Sequence, residues 1–405
     1  MKIEDSPFLS LYVHLSLLLV WFFFPILSII PICAFLYHTK LFKAEIYFYF
    51  LLLALVPGMV NYTKLPELDL AQYVDEYYRL YHLKITEVSS VSPVDPFFYY
   101  TSFLLAHMSG GNAQLLPFFW TTLTYFCFFC ALYEFNEVFR DGSKKRMVGT
   151  VFFALMIGLD FSLSAHLIRQ YAALSILMIA IARYCNNKKY ILFLVLAFCT
   201  HFSTAIFLPI FLMMKLPSKT LTISLWILFL LALKVGSVNI LEYLDLLPGF
   251  SNAALVNIAE KATVYVEKDD GGLNLRLYVE IAFYLIIVVY MLMKGKDKYS
   301  KETGNAIRKF GLIFIGFIIV LLLVRNNNLL MFRYFFYLAF LTTMVLLILF
   351  RQHNLMTFAV FVFFMISSPV RLIRILPNNT FTYIDNSYNI MFYNVAEFLS
   401  YKVSN

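Results

Sequence analysis

The chain reads as an all-α protein, a polytopic transmembrane helical bundle of about 10–12 spans. Three observations predict this. Of 405 residues, 61% are hydrophobic and 14% charged, where a soluble domain carries about 25% charged residues. The mean hydropathy is +0.76. Apolar runs such as "ISLWILFLLAL" and "GLIFIGFIIVLLLV" recur along the whole length, and the aromatic share of 19% suits side chains that meet lipid and its interfaces. A net charge of +8 would suggest nucleic acid in a soluble chain. In a membrane protein its distribution across the bilayer carries the information, and no nucleic-acid partner is expected.

The spans fall, in order, at residues 11–36, 45–60, 113–134, 148–164, 167–184, 190–214, 220–236, 276–294, 310–325, 329–350 and 354–370. The first run is too long for a signal peptide and is followed by no small-residue cleavage site, so it reads as a retained span. The third carries Cys127 and Cys130 in CxxC spacing. With no His or carboxylate partner beside them, these read as small core residues, like Cys33, Cys185 and Cys199. The fourth and fifth are separated by a short polar stretch around His166. The later runs are bounded by basic or Asn-rich segments. No fixed-period repeat, low-complexity tract or soluble appendage interrupts them, and residues 1–405 form a single integral membrane domain.

Charge assigns the sides. The short loops "HTKLFKAE", "FRDGSKKRM", "RYCNNKKY", "MKLPSKT", "MKGKDKYSKETGNAIRKF" and "RQHN" hold more than half of the 32 Lys and Arg and few of the 24 acids. Excess Lys and Arg mark the cytoplasmic side, whose main loop is about 295–309. The segment "KKYILFLVLAFCTHFSTAIFLPIFLMMKLPSK" has basic residues at both ends, so both ends belong on that side. A re-entrant hairpin near residue 200 satisfies this, with Thr200, His201, Ser203 and Thr204 supplying hydrogen bonds at its tip. Two long loops, about 61–112 and 237–275, then lie on the outer side. The first is acidic and aromatic, and its "DPFFYYTSFLLAHM" reads as an interfacial or re-entrant helix.

The ionisable residues at the outer mouth of the bundle carry the chemistry. Arg169 opens an apolar helix, and Arg276, Arg325, Arg333, Arg371 and Arg374 fall at the same level. A guanidinium offers a planar fork matched to phosphate oxygens, and several together can neutralise a pyrophosphate without a metal ion. Each alone also reads as a snorkelling anchor or an ion-pair partner. His201, whose side chain ordinarily titrates near pH 6.5, is a candidate general base, and also a candidate core histidine. The alternative bases are Asp69, Asp75 and Asp95. His166 and His201 lack a third ligand at recognisable spacing, so no metal site is expected. No P-loop, GxGxxG or GxSxG is present, and no cofactor is expected.

Five segments occur in a telling order. They are "PELDLAQYVDEYY", "VDPFFYYTSFLLAHMSGGNAQLLPFFWTTLTYF", "HLIRQYAALSILMIAIARY", "KKYILFLVLAFCTHFSTAIFLPIFL" and "FRYFFYLAF". That order resembles the EpsG-like branch of Wzy-type polysaccharide polymerases, which act on O-antigen, capsule or exopolysaccharide repeat units. The matching positions are Asp69 with Tyr73, Asp95-Pro96, Arg169-Gln170 and His201 with Ser203. The acid before proline is Asp where the family pattern has Glu. The likeness covers residues 60 to 215 well and the remainder loosely.

The resemblance implies a glycosyltransferase of the bacterial inner membrane working at the periplasmic face. Its substrates would be undecaprenyl-pyrophosphate-linked oligosaccharides, with membrane lipids around it and a chain-length regulator as a further partner. His201, Arg169, Asp69 and Asp75 are then the expected catalytic residues. Arg169, Gln170, Arg276, Arg325, Arg333, Arg371, Arg374, Tyr73, Asp95 and Ser203 would bind substrate and pyrophosphate. A flippase for the same lipid-linked oligosaccharide, or an O-antigen-ligase-like transferase, would share the need for outer arginines. A flippase should also line a path through the bilayer with charge and often repeats its halves, and neither feature is visible here.

Cysteine-accessibility labelling in intact cells checks the topology. Positions 144, 188, 219 and 298 should label from the cytoplasm, and positions 75, 201 and 270 from outside. Labelling of 188 and 219 from opposite sides would remove the hairpin.

Overall fold

A computed structural model describes residues 7–92, 94–139, 144–159, 161–216, most of 220–230, 281–290, 292, 300–323, 328–349 and 388–402. Among these, all extended regular structure is helical. The expected spans at 354–370 and most of 220–236, and the loop at 237–275, lie outside the described residues.

The first apolar run forms two helices rather than one span, α1 (Pro7–Phe23) and α2 (Ile29–His38). Pro25 explains the break: it has no N–H to donate, and it pushes the residue before it out of helical geometry. The Ser28 hydroxyl donates to the Pro25 carbonyl at 2.6 Å and occupies one of the exposed acceptors. Helix α3 (Lys43–Tyr62) follows, its first turn closed by Glu45, whose carboxylate accepts from the Phe42 N–H at 2.7 Å.

Residues 61–112, expected as an outer loop, carry two helices, α4 (Asp69–His82) and α5 (Pro96–Met108). They share a small core of Leu70, Tyr77, Phe98, Tyr99 and Trp120, which also takes in Ala165 and Ile168. The segment is therefore a docked helical layer rather than a free loop.

Helix α6 (Leu115–Asn136) packs along α3. Lys43 lies 3.8 Å from Glu134 at one end, and Gln114 Nε2 donates to the Tyr62 carbonyl at 2.9 Å at the other, so the two run antiparallel. The next expected span, 148–164, is realised as α7 (Lys144–Phe153), a π-helical turn at Ala154–Gly158, and α8 (Phe161–His166). The Tyr125 hydroxyl donates to the Leu159 carbonyl where the ladder is broken. Helix α9 (Ile168–Cys185) then runs parallel to α6, with Arg183 3.5 Å from Glu134 and Arg169 at the opposite end. Buried Asn61 donates to Thr121 Oγ1 at 2.8 Å and Ser164 Oγ at 3.1 Å, which joins α3, α6 and α8 by hydrogen bonds.

Residues 190–214 turn back on themselves. Helix α10 (Ile191–Thr200) ends at His201, a 3₁₀ turn spans Phe202–Ile206, and α11 (Phe207–Met213) returns. The rings of Tyr190 and Phe211 stack at 5.5 Å, and both touch Tyr184 near the end of α9. The feet of both arms therefore lie together, with His201 at the tip. Thr200 donates to the Leu196 carbonyl and Thr204 to that of His201, so the tip meets its own backbone needs.

Helix α12 (Lys301–Leu323) starts inside the expected 295–309 loop, because Ser300 caps it by accepting from the Thr303 N–H at 3.3 Å. Its foot is tied to the Glu134 end, where Thr303 donates to the Val138 carbonyl and Lys309 to Asn187. Helix α13 (Asn328–Leu349) follows. Helix α14 (Val395–Ser400) packs on α3, and the Tyr401 carbonyl just beyond it accepts from Gln114.

Among the described residues, three helices are long and apolar enough by themselves to cross a membrane: Lys43–Tyr62, Leu115–Phe139 and Lys301–Leu323. Shorter apolar helices accompany them, where the structure divides apolar runs at Pro25 and His201, and other expected spans lie wholly or partly outside the described residues.

The α3–α6 crossing depends on Gly58. A Cβ there would lie 2.1 Å from Thr122 Oγ1 and 3.0 Å from the Phe118 carbonyl oxygen. Gly58→Val should lower stability in detergent by about 1–3 kcal/mol, the usual cost of overpacking. Gly149→Ala, with nothing within 4 Å of the new methyl, should melt like the parent. A normal melting temperature for the Gly58 variant would show that α6 can move aside.

Candidate functional site

The site is built around Asp95. Its backbone is left-handed, with φ 63° and ψ 44°, immediately before Pro96 opens α5. Aspartate tolerates that conformation better than most residues, and left-handed non-glycine residues concentrate where geometry is held for function. The carboxylate is only 2% exposed. Oδ2 accepts from Arg169 Nη1 at 3.1 Å and pairs with His201 Nδ1 at 3.1 Å, while Oδ1 accepts from the Phe202 N–H at 2.7 Å. A buried carboxylate needs such partners. Burial alone would push its pKa up, but the hydrogen bond and charge of His201, the Arg169 charge and the Phe202 N–H together hold it below the usual carboxylate range.

Arg169 projects from the first turn of α9, and its side chain is 12% exposed. Nη1 also donates to the Tyr99 hydroxyl at 2.9 Å, and Nε approaches the Tyr73 hydroxyl at 3.4 Å. The guanidinium lies 5.1, 5.6 and 5.7 Å from the ring centres of Tyr73, Tyr99 and Phe98. The Tyr99 hydroxyl in turn donates to Glu76 at 3.0 Å. These contacts engage Nη1 and Nε. Nη2 carries two further N–H groups, which diverge from one another in the guanidinium plane.

His201 sits in extended backbone at the end of α10, with its side chain 24% exposed. An ionised Asp95 can only accept, so Nδ1 carries the proton and Nε2 becomes the basic nitrogen of the neutral ring. This is the arrangement in which a carboxylate fixes the tautomer of a general base.

The other expected residues are distributed as follows. Tyr73 joins the Arg169 cage, and Asp69 opens α4 one turn before it on the same face. Asp75 is exposed on the opposite face of α4. Gln170 is buried beside Arg169 in α9. Ser203 hydrogen-bonds to the Tyr337 hydroxyl. Arg333 belongs to α13, one turn toward its start from Tyr337. Arg276, Arg325, Arg371 and Arg374 lie outside the described residues. Asp95, expected to hold substrate, has both oxygens taken up by protein donors. Among the described residues no three His, Cys, Asp or Glu side chains gather as a metal site.

Sequence reasoning missed Glu76, Phe98, Tyr99 and Tyr337. The signal for Glu76 was its place three residues after Tyr73, on the same helical face. Tyr99 was legible as one turn past Asp95 in the helix that Pro96 starts.

Comparison with protein families matches residues 46–384 to a family described as the EpsG family, a range that contains every residue of this cluster. Neither the curated proteins nor the solved structures gave a match.

Thermal unfolding checks the Asp95 joint. Because its folded pKa is lowered, its contribution is full above the unfolded carboxylate value near 3.9 and is lost as pH falls through the folded value. Asp95→Asn should therefore be less stable than the parent at pH 7, by about 3–5 kcal/mol for a broken buried pair. The difference should shrink below about pH 4. A pH-independent gap would mean that the charge of Asp95 contributes nothing.

Proposed function

The chain belongs to the EpsG family of polysaccharide-polymerase-like membrane proteins, and we propose that it elongates a glycan on undecaprenyl pyrophosphate at the periplasmic face of the bacterial inner membrane. In this reading the growing chain moves from its carrier onto a new undecaprenyl-pyrophosphate-linked repeat unit. The observation that carries it is one buried carboxylate, Asp95, in contact with both a guanidinium and an imidazole at 3.1 Å each. A phosphate-binding cation and an oriented base are the two groups such a transfer needs.

In the proposed reaction, a hydroxyl at the non-reducing end of the incoming unit attacks the anomeric carbon of the sugar bound to pyrophosphate. The new carbon–oxygen bond forms as the bond to the pyrophosphate oxygen breaks, and that oxygen keeps the electron pair. His201 Nε2 takes the hydroxyl proton, and Asp95 stabilises the imidazolium that results. Arg169, held by Asp95, Tyr73 and Tyr99, directs Nη2 at the leaving pyrophosphate, where negative charge develops. Arg276, Arg325, Arg333, Arg371 and Arg374 are proposed to add positive charge around the carrier. The aromatic faces of residues 61–112 suit pyranose rings, and their carboxylates suit sugar hydroxyls.

Purified protein in liposomes, supplied with lipid-linked repeat units, tests this by the ladder of products. The parent should give ladders, whereas a flippase would give translocation without them. Arg169→Ala should abolish ladders, and Arg169→Lys should not restore them fully, because an ammonium is a point charge without the planar donor fork of a guanidinium. His201→Gln should slow turnover by roughly 10²–10⁴-fold. Near-normal turnover in that variant, with Asp69→Asn inactive, would move the base to a carboxylate of α4.

A further inference from the structure

The tip of the hairpin is tied to the bundle at a second point that the proposed reaction leaves without a role. Ser203, two residues beyond His201, shares a hydrogen bond with the Tyr337 hydroxyl. Tyr337 is fully buried in α13. Its ring stacks on Phe207 of α11 at 5.8 Å and on Phe317 of α12 at 5.4 Å, and those two rings stack on each other at 5.0 Å. Three helices meet in this group. Phenylalanine would fill the same space, so packing alone gives no reason for a hydroxyl there. A hydroxyl in such a place costs stability unless it is paired, and Ser203 is the partner that pairs it.

The 3₁₀ turn Phe202–Ile206 is thereby gripped from two sides. Asp95 holds it by the Phe202 N–H, and Tyr337 by the Ser203 hydroxyl. Thr204 closes the turn onto the His201 carbonyl at 2.9 Å. His201 is the extended residue that enters this turn, so the position of its ring follows the position of the turn. The Asp95 contact fixes the tautomer and one edge of the imidazole. It does not by itself fix how far the tip stands from α13, the helix on which Arg333 occupies the position one turn before Tyr337.

We propose that Tyr337 is a positioning residue: through Ser203 it sets the placement of His201 relative to α13, the helix that carries Arg333. The inference rests on the reading of His201 as the base. Its consequence is that the base and one cation-bearing helix keep a fixed spacing, so that a substrate seated against α13 presents its reacting carbon at the distance His201 serves.

Tyr337→Phe keeps the three-ring stack and removes only the hydroxyl, and Ser203→Ala removes the partner. Turnover and KM for lipid-linked repeat units in liposomes should be measured for each and for the double variant, with thermal unfolding alongside. Each single change should lower kcat by about 10-fold to 100-fold, the scale produced by small misplacements of a reacting group, with KM nearly unchanged. The double variant should fall no further than the worse single, as expected for two halves of one contact. Parental kcat in Tyr337→Phe would overturn the proposal. So would a lowered melting temperature with parental kcat, because that would make Tyr337 a packing residue only. His201→Gln in the same assay separates the two readings. Full turnover there removes the base and this inference with it, whereas lost turnover there beside full turnover in Tyr337→Phe removes the positioning role alone.

Discussion

The arrangement at this end of the molecule depends on one buried negative charge. Asp95 belongs to the helical layer of residues 61–112, Arg169 to the main bundle and His201 to the hairpin, and the carboxylate contacts both side chains directly. Without the acid, a guanidinium surrounded by Tyr73, Phe98 and Tyr99 would keep its charge with fewer acceptors. Without Arg169, His201 and the Phe202 N–H, burial would push the acid toward its neutral form. Each group is thus tolerable in its place because the others are present. That mutual dependence makes the local fold and the local chemistry one problem.

The opposite end solves a similar electrostatic problem differently. Glu134 on α6 is also buried, and it faces Lys43, Arg183 and Lys188 at 3.8, 3.5 and 2.7 Å. Lys188 also pairs with Glu137. The cations there rest on aromatic rings, Lys43 over Tyr47 and Tyr133, Lys309 over Tyr184 and Arg183 over Phe193. Several cations around one acid clamp the feet of α3, α6 and α9. At the Asp95 end one acid serves a guanidinium, through Nη1, and a histidine. The first arrangement gathers several cations on one acid, whereas the second shares one acid between two different kinds of partner.

Between the two ends, backbone breaks are placed where polar atoms can meet them. The break at Pro25 is met by Ser28, the π turn by Tyr125, and the hairpin tip by Thr200, Thr204 and Asp95. Only such pairing permits irregular backbone at membrane depth. The hairpin brings a polar residue, His201, against Asp95 while both of its feet stay at the far end. A straight helix over residues 190–214 would carry His201 past the cluster without aiming it.

By itself the sequence determined the membrane class, the helical architecture and the returning segment near residue 200, because hydropathy and the side preference of lysine and arginine are written along the chain. Arg169 and His201 were legible as polar residues where apolar ones are easier to place. The role of Asp95 was not. Its partners lie 74 and 106 residues away, and those of Ser203 and Gln114 lie 134 and 287 away. Nothing local to "VDPFF" tells whether its acid faces a ligand or a guanidinium. Helix α5 was legible as an interfacial or re-entrant helix, but α4 was not, since its apolar residues bury against α5 and Trp120 rather than in a full-length span. Tertiary structure alone decided which charges meet, because a buried charge is placed by the partners that neutralise it, and folding brings those partners from distant parts of the chain.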